Sequence, residues 1–157
     1  MSLYIIDMSK QEWGNSTWFL FHGLATKITH QYPEEYKQIL SLFIEICAHL
    51  PCPDCKTHAV HTNNTAKLKV INSNEKLKDY LWQFHNRVNR RLNKPYFSMD
   101  EYNKLYGSVK IHMLINPFSS ALTARVPAAL MMESFHRKRV VGKIVDYIKR
   151  NIHKYNV

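Results

Sequence analysis

The most reactive chemistry in this chain sits in Pro51-Cys52-Pro53-Asp54-Cys55. Two sulfurs three residues apart can share a disulfide or a metal ion. Pro51 ends one helical pattern. Cys52 then stands where an N-cap would be, with Pro53 at the first helical position and Asp54 in the first turn, which is favourable start chemistry for a short helix. That places the first sulfur at the positive end of a helix dipole. Exposed backbone N–H groups there stabilise a thiolate, the species that thiol–disulfide exchange requires.

Two other readings of the motif compete. Cys52, Cys55, His58 and His61 invite zinc, since both residue types ligate it. On one continuous helix each residue rises ~1.5 Å, so the first and last ligands stand ~13 Å apart along the axis. Four ligands must each reach ~2.0–2.3 Å from one ion, which these can do only if the helix breaks between them. A thioredoxin fold needs strands on either side of the CxxC helix, and helical patterns occupy those places.

Thirty residues on, His85, Asn86 and Asn89 lie beside the Phe84/Val88 stripe of another helical segment. Asn is a poor helix-interior residue. Singly, each reads as part of an exposed polar face. Together, at spacings of three and four, they can converge on one object beside the helix. A nucleotide offers matching donors, acceptors and stacking surface.

The elements that must position these groups are helical. A first helix is predicted from about Gln11 to Gln31, with Trp13, Trp18, Phe21, Leu24, Ala25 and Ile28 on its apolar stripe. Pro33 interrupts it. A second begins near Glu34, with Tyr36, Leu40, Phe43, Cys47 and Leu50 as a seam facing another helix, and runs to Pro51. The CxxC helix closes at Asn63-Asn64-Thr65. Asn74 is the expected N-cap of a fourth helix, whose stripe is Leu77, Leu81, Phe84, Val88 and Leu92 and whose stop is Asn93-Lys94-Pro95. Ser98 to Glu101 forms a capping box that opens a short fifth helix through Tyr106.

Size and composition agree with this all-α reading. The chain has 157 residues, long enough to bury a core without disulfide staples. Its 45% hydrophobic content excludes general disorder, and four glycines leave little room for turn-rich β structure. No stretch approaches the ~20 apolar residues of a membrane span, and the N-terminus lacks a signal-peptide pattern. A protein made and kept inside a cell is expected. There, a lone CxxC is more often redox-active or metal-binding than structural. The third cysteine, Cys47, lies on an apolar stripe and reads as a small buried hydrophobe.

Three blocks in order resemble the Erv/ALR-type FAD-dependent sulfhydryl oxidases. They are Trp13-Gly14-x-x-x-Trp18-x-x-x-His22, Pro51-Cys52-x-x-Cys55, and Trp82-x-x-His85-Asn86-x-Val88-Asn89-x-x-Leu92-x-Lys94-Pro95. The resemblance runs from about Trp13 to Tyr106. It implies a four-helix bundle holding FAD at one end, capped by the short fifth helix. It implies that Cys55 lies next to the flavin and that Cys52 exchanges with the incoming dithiol. Trp18, His22, His85, Asn86, Asn89 and Lys94 fall on FAD-contacting positions. Val88, Leu92 and Tyr96 are expected to line the same site, and Trp13, Gly14 and Trp82 join the cofactor-binding set. Lys94, a mobile point charge, suits the pyrophosphate. The implied reaction oxidises protein dithiols and passes electrons to oxygen, giving hydrogen peroxide.

The chain departs from that pattern in places. It has no second, shuttle CxxC and no long-range disulfide pinning its last helix, and Asn15 stands where many members carry Arg. A small single-CxxC form resembles the versions encoded by large cytoplasmic DNA viruses. That implies action in the host cytoplasm or virion, a homodimer, and a thioredoxin-like or small shuttle protein as partner.

Residues 1–116 are therefore expected to form the FAD-binding oxidase domain, and 117–157 a basic, partly helical extension. The extension holds eight Lys/Arg against Glu133 and Asp146, six of the ten net positive charges. Ser119 to Pro127 reads as a linker. Val141, Ile144, Val145, Ile148 and Ile152 make an amphipathic helix that could serve docking or assembly, or pack on its own domain. The competing function class is a non-enzymatic helical module that binds nucleic acid or another partner through this tail, with a structural metal at the CxxC. The yellow colour of a flavoprotein would separate the two.

Overall fold

The computed structural model describes residues 2–157, with side chains from Gln11 onward. Among the described residues the chain forms seven α-helices and no sheet: α1 (Ser2–Lys27), α2 (Tyr36–Cys47), α3 (Pro53–Thr65), α4 (Asn74–Arg91), α5 (Met99–Tyr106), α6 (Ile111–Leu122) and α7 (Met131–Arg150). α1 is the central rod. It packs against α2, α4, α5 and α6, while α2 is also flanked by α3 and α7. Leu20, Phe21 and Leu24 of α1, Ile39 and Ile46 of α2, and Leu77 and Leu81 of α4 are fully buried where the helices meet. Gly23 lets α6 approach closely, since an added Cβ would stand 2.9 Å from Leu114.

Local chemistry sets most helix ends. Cys52 caps α3, its sulfur accepting from the Cys55 N–H. Both halves of the Ser98/Glu101 capping box form at α5. α4 ends in a Schellman motif: Asn93 adopts φ 55°, Lys94 N–H donates to Asn89 O at 2.8 Å, and Asn93 N–H to Arg90 O at 3.2 Å. Asn tolerates this left-handed conformation better than most residues.

Several expected boundaries shift. α1 ends at Lys27 rather than Gln31, because the backbone from Lys27 to Thr29 pairs with the C-terminal residues Lys154 to Asn156. α2 stops at Cys47, before Pro51. Asn74 does not cap α4; Ser73 does, accepting from the Lys76 N–H. Asn74 instead accepts from the Tyr36 N–H at 3.0 Å and so caps the first turn of α2 across the fold.

The C-terminal third differs most from expectation. Asn116 and Pro117 both lie inside α6, and the supposed linker is helical to Leu122. Phe118, Leu122, Val141, Ile144 and Ile148 belong to the same buried cluster as the bundle. Ile152, expected on the buried stripe, is 40% exposed because the helix has ended at Arg150. Glu35 ties this segment down. Although buried, it accepts from the hydroxyls of Tyr147 and Tyr155 and pairs with Lys154 at 3.0 Å.

Candidate active site

A cavity of about 400 Å³ opens among α1, α2, α3 and α4. α1 contributes Trp13, Gly14, Thr17 and Trp18, and α2 contributes Phe43 and Cys47, with Leu50 just beyond. α3 contributes Cys55, His58 and Ala59. α4 contributes Phe84, His85, Val88, Asn89 and Arg91, and the Schellman turn after it adds Leu92 and Lys94. Aromatic and aliphatic faces form the walls, and Arg91 and Lys94 supply cations.

The two CxxC cysteines are placed unequally. Cys55 lines the cavity, whereas Cys52 sits outside its wall, half-buried. Their sulfurs are 2.7 Å apart, the Cys55 thiol donating to Cys52 Sγ, which also accepts the Cys55 N–H at 3.3 Å. Pairing the two sulfurs as a disulfide would need only a small approach, to about 2.05 Å.

Of the sequence-predicted cofactor set, Trp13, Gly14, Trp18, His85, Val88, Asn89, Leu92 and Lys94 meet at the cavity wall. The other four are not part of that wall. His22 is fully buried beneath Trp18, with Nε2 3.0 Å from His85 Nδ1. Asn86 directs its amide away, donating to Phe97 O at 2.9 Å and accepting from Phe97 N–H at 2.8 Å. Trp82 Nε1–H donates to the same carbonyl at 2.8 Å. These bonds pin the loop that carries Lys94 back onto α4. Tyr96 is 66% exposed and rests edge-on against Trp82.

Burial tunes the histidines. His85 is pushed down to about 4, first by desolvation and then by the Lys94 ammonium. His22 lies well below the usual imidazole range, again by burial first, then through His85 and Lys78. Both rings are therefore neutral near pH 7.

Sequence reasoning missed part of the wall. Cys47 is buried as expected, yet it also faces the cavity, and desolvation pushes its thiol up to about 12. His58 enters the sequence reading only through the zinc alternative. It lies one helical turn past Cys55, lines the cavity, and has a shielded Nδ1 with no hydrogen-bond partner. The i, i+3 spacing from Cys55 was the available signal. Among the described residues no group of three or more His, Cys, Asp or Glu is arranged to hold a metal ion.

Comparison with known proteins places the chain in a family. Residues 15–107 match the model of the Erv1/Alr family. A protein of Invertebrate iridescent virus 3 is 36% identical over 85 residues, covering 53% of this chain and 57% of that protein. The FAD-linked sulfhydryl oxidase of African swine fever virus is 32% identical over 96 residues, covering 60% of this chain and 79% of the relative. The mitochondrial FAD-linked sulfhydryl oxidase ERV1 of Saccharomyces cerevisiae is 29% identical over 96 residues, 60% of this chain and 50% of the relative. The chain thus spans about half the length of the iridescent-virus and yeast proteins. No solved structure matches it. With a family model covering more than half its length and the CxxC set against an aromatic cavity, the chain belongs to the Erv1/Alr family.

Proposed function

We propose that this chain is a FAD-dependent sulfhydryl oxidase that forms disulfides in protein dithiols. The observation that carries the reading is the asymmetric CxxC: Cys55 lines an aromatic cavity, and half-buried Cys52 is not part of its wall. The cavity's residues suit a flavin nucleotide. Trp13, Trp18, Phe43, Phe84 and His85 offer ring surface, Arg91 and Lys94 offer charge for phosphate, and the shielded, unpartnered Nδ1 of His58 lacks a partner that a ligand could supply.

The chain's own part is exchange and orientation. A client thiolate attacks Cys52 Sγ of the oxidised pair, forming a mixed disulfide and releasing Cys55 as the leaving thiolate. The second client thiolate then attacks the client sulfur of that bridge. Cys52 leaves, the client carries a disulfide, and the CxxC holds the two electrons as a dithiol. FAD, when bound, supplies the two-electron acceptor between this dithiol and oxygen, which leaves as hydrogen peroxide. Val88, Leu92 and the ring walls give the cavity an apolar lining. The Asn86 and Trp82 bonds to Phe97 hold the Lys94 loop in place.

All cavity residues fall within 1–116, so the cofactor chemistry is assigned to that part, with 117–157 completing the core. Protein dithiols are the substrates, with oxygen as acceptor. A separate thioredoxin-like or small shuttle protein and a homodimer are inferred from the family. The viral relatives favour action in a host cytoplasm or virion. No helix among the described residues is long and apolar enough to cross a membrane.

The test is direct. Purified protein should be yellow, release FAD rather than FMN on denaturation, and consume oxygen with dithiothreitol while producing peroxide. A folded but colourless protein, or one that is yellow and inert towards dithiols, overturns the reading.

A further inference from the structure

The first half of α7 carries a surface that the redox site does not use. Met132 and Phe135 are 71% and 58% exposed, and Leu130 and Met131 beside them are also open to solvent. Met132, Phe135, His136, Arg139 and Lys143 recur at three- and four-residue steps, so they share one stripe. The stripe is apolar at its N-terminal end and cationic beyond it. Between it and the end of α2 lies a cleft of about 360 Å³, walled by Glu45, His49, His136, Arg139 and Lys143. Glu45 engages Lys143 at 2.7 Å, which leaves Arg139 as the cleft's second cation.

This surface is tied to the CxxC. α7 runs antiparallel to α2, with Lys143 on Glu45 and the buried Arg137 donating from Nε to His49 O at 2.6 Å. His49, which walls the cleft, stands three residues before Cys52 in the chain. His49 is held below the ordinary imidazole range by burial and then by the Lys56 ammonium of α3. Phe135 packs edge-on to His136, whose ring faces His49.

We propose that this stripe docks the incoming dithiol polypeptide. The partner is a segment with an apolar side chain beside its cysteine pair, received by Met132 and Phe135, and with a carboxylate farther along that meets Arg139. This rests on the oxidase reading above. Charge selects the occupant. At its surface α7 carries Lys138, Arg139, Lys143, Lys149 and Arg150 against Glu133 and Asp146, and the whole chain is at +10. A second copy would set this cationic stripe against itself in a two-fold contact, whereas an acidic segment neutralises it. An apolar patch rimmed by charge is the usual mark of a protein contact.

The test compares three substrates with the full-length protein: dithiothreitol, a CxxC peptide with a flanking Leu and three Glu residues, and the same peptide with Lys for Glu. Wild type should favour the acidic peptide over the basic one by about tenfold in kcat/KM, less at high salt. Arg139→Glu should abolish that preference, and Met132→Ser/Phe135→Ser should weaken both peptides. Neither variant should change dithiothreitol turnover. If wild type does not oxidise dithiothreitol, the oxidase reading fails and docking fails with it. If it does, but the variants treat both peptides as wild type does, docking alone is wrong. Conversion of a dimer to a monomer by Phe135→Ser would assign the surface to a second copy and overturn the proposal.

Discussion

His22 Nε2 lies 3.0 Å from His85 Nδ1, and the Trp18 ring stacks on both imidazoles. Neither ring carries charge near neutral pH, so one nitrogen of the pair donates and the other accepts. Protonating both would set two donors face to face in a site that already disfavours charge. The pair therefore couples the fold beneath the cavity to pH.

The folded values lie below the ordinary one of 6.5, with His85 at about 4. The unfolded chain thus binds more protons than the folded one between these limits. The resulting stability is fully present above 6.5 and is lost as pH falls through about 4. Thermal melts across that range should show the midpoint falling with pH. His85→Gln should flatten the slope between pH 6.5 and 5. An unchanged slope would mean that other groups carry the acid sensitivity.

The three cysteines should separate cleanly. Cys52→Ala and Cys55→Ala should each abolish dithiothreitol turnover, because the exchange needs both sulfurs. Cys47→Ala should keep turnover within about twofold, since a thiol pushed up to about 12 stays protonated and unreactive. In Cys52→Ala, a long-wavelength charge-transfer band from the remaining Cys55 would support its flavin-proximal place. Equal losses in all three variants would sink the assignment.

Gly14 separates fold from cofactor. An added Cβ would meet no protein atom within 4 Å, and the residue lines the cavity from within α1. Gly14→Ala should raise the stability of the flavin-free protein by about 0.5–1 kcal/mol through helix propensity. A bulkier Gly14→Val should leave that protein folded yet weaken flavin retention. Equal flavin content in Gly14→Val and wild type would remove Gly14 from the binding wall.

Truncation at Asn116 should cost the fold itself. It cuts α6 in mid-helix and removes the buried Phe118, Leu122, Val141, Ile144 and Ile148. Each contributes about 1.5–3 kcal/mol, so the five together are comparable to a typical net stability of about 5–15 kcal/mol. The shortened chain should lose cooperative unfolding and flavin together. A sharp melt with retained flavin would show that 117–157 is dispensable after all.

Glu35 should be the most sensitive single anchor of the C-terminal segment. Tyr155→Phe removes one hydrogen bond, worth about 1 kcal/mol. Glu35→Ala strands Lys154 and two hydroxyls, and should cost about 3–5 kcal/mol. Urea melts would rank the two. Near-equal losses would show that Lys154 and Tyr147 find solvent or other partners.

The sequence by itself determined the presence of α1 to α5 and of the amphipathic α7, the CxxC at the start of α3 and the spaced Trp, His and Asn residues, because caps and apolar periodicity act within a few neighbouring residues. The Ser98 capping box, the Cys52 cap and the stop after Leu92 were legible for that reason. Only the tertiary structure decided which side chains face the cavity. His85 and Asn86 are adjacent in sequence, yet one lines the wall and the other binds Phe97, since a step of ~100° around a helix separates neighbouring side chains. Asn74 capping α2, Glu35 gathering Tyr147, Lys154 and Tyr155, and α6 running through Pro117 were hidden for a related reason. Each depends on a contact between segments distant in sequence, and no local pattern records where the chain returns.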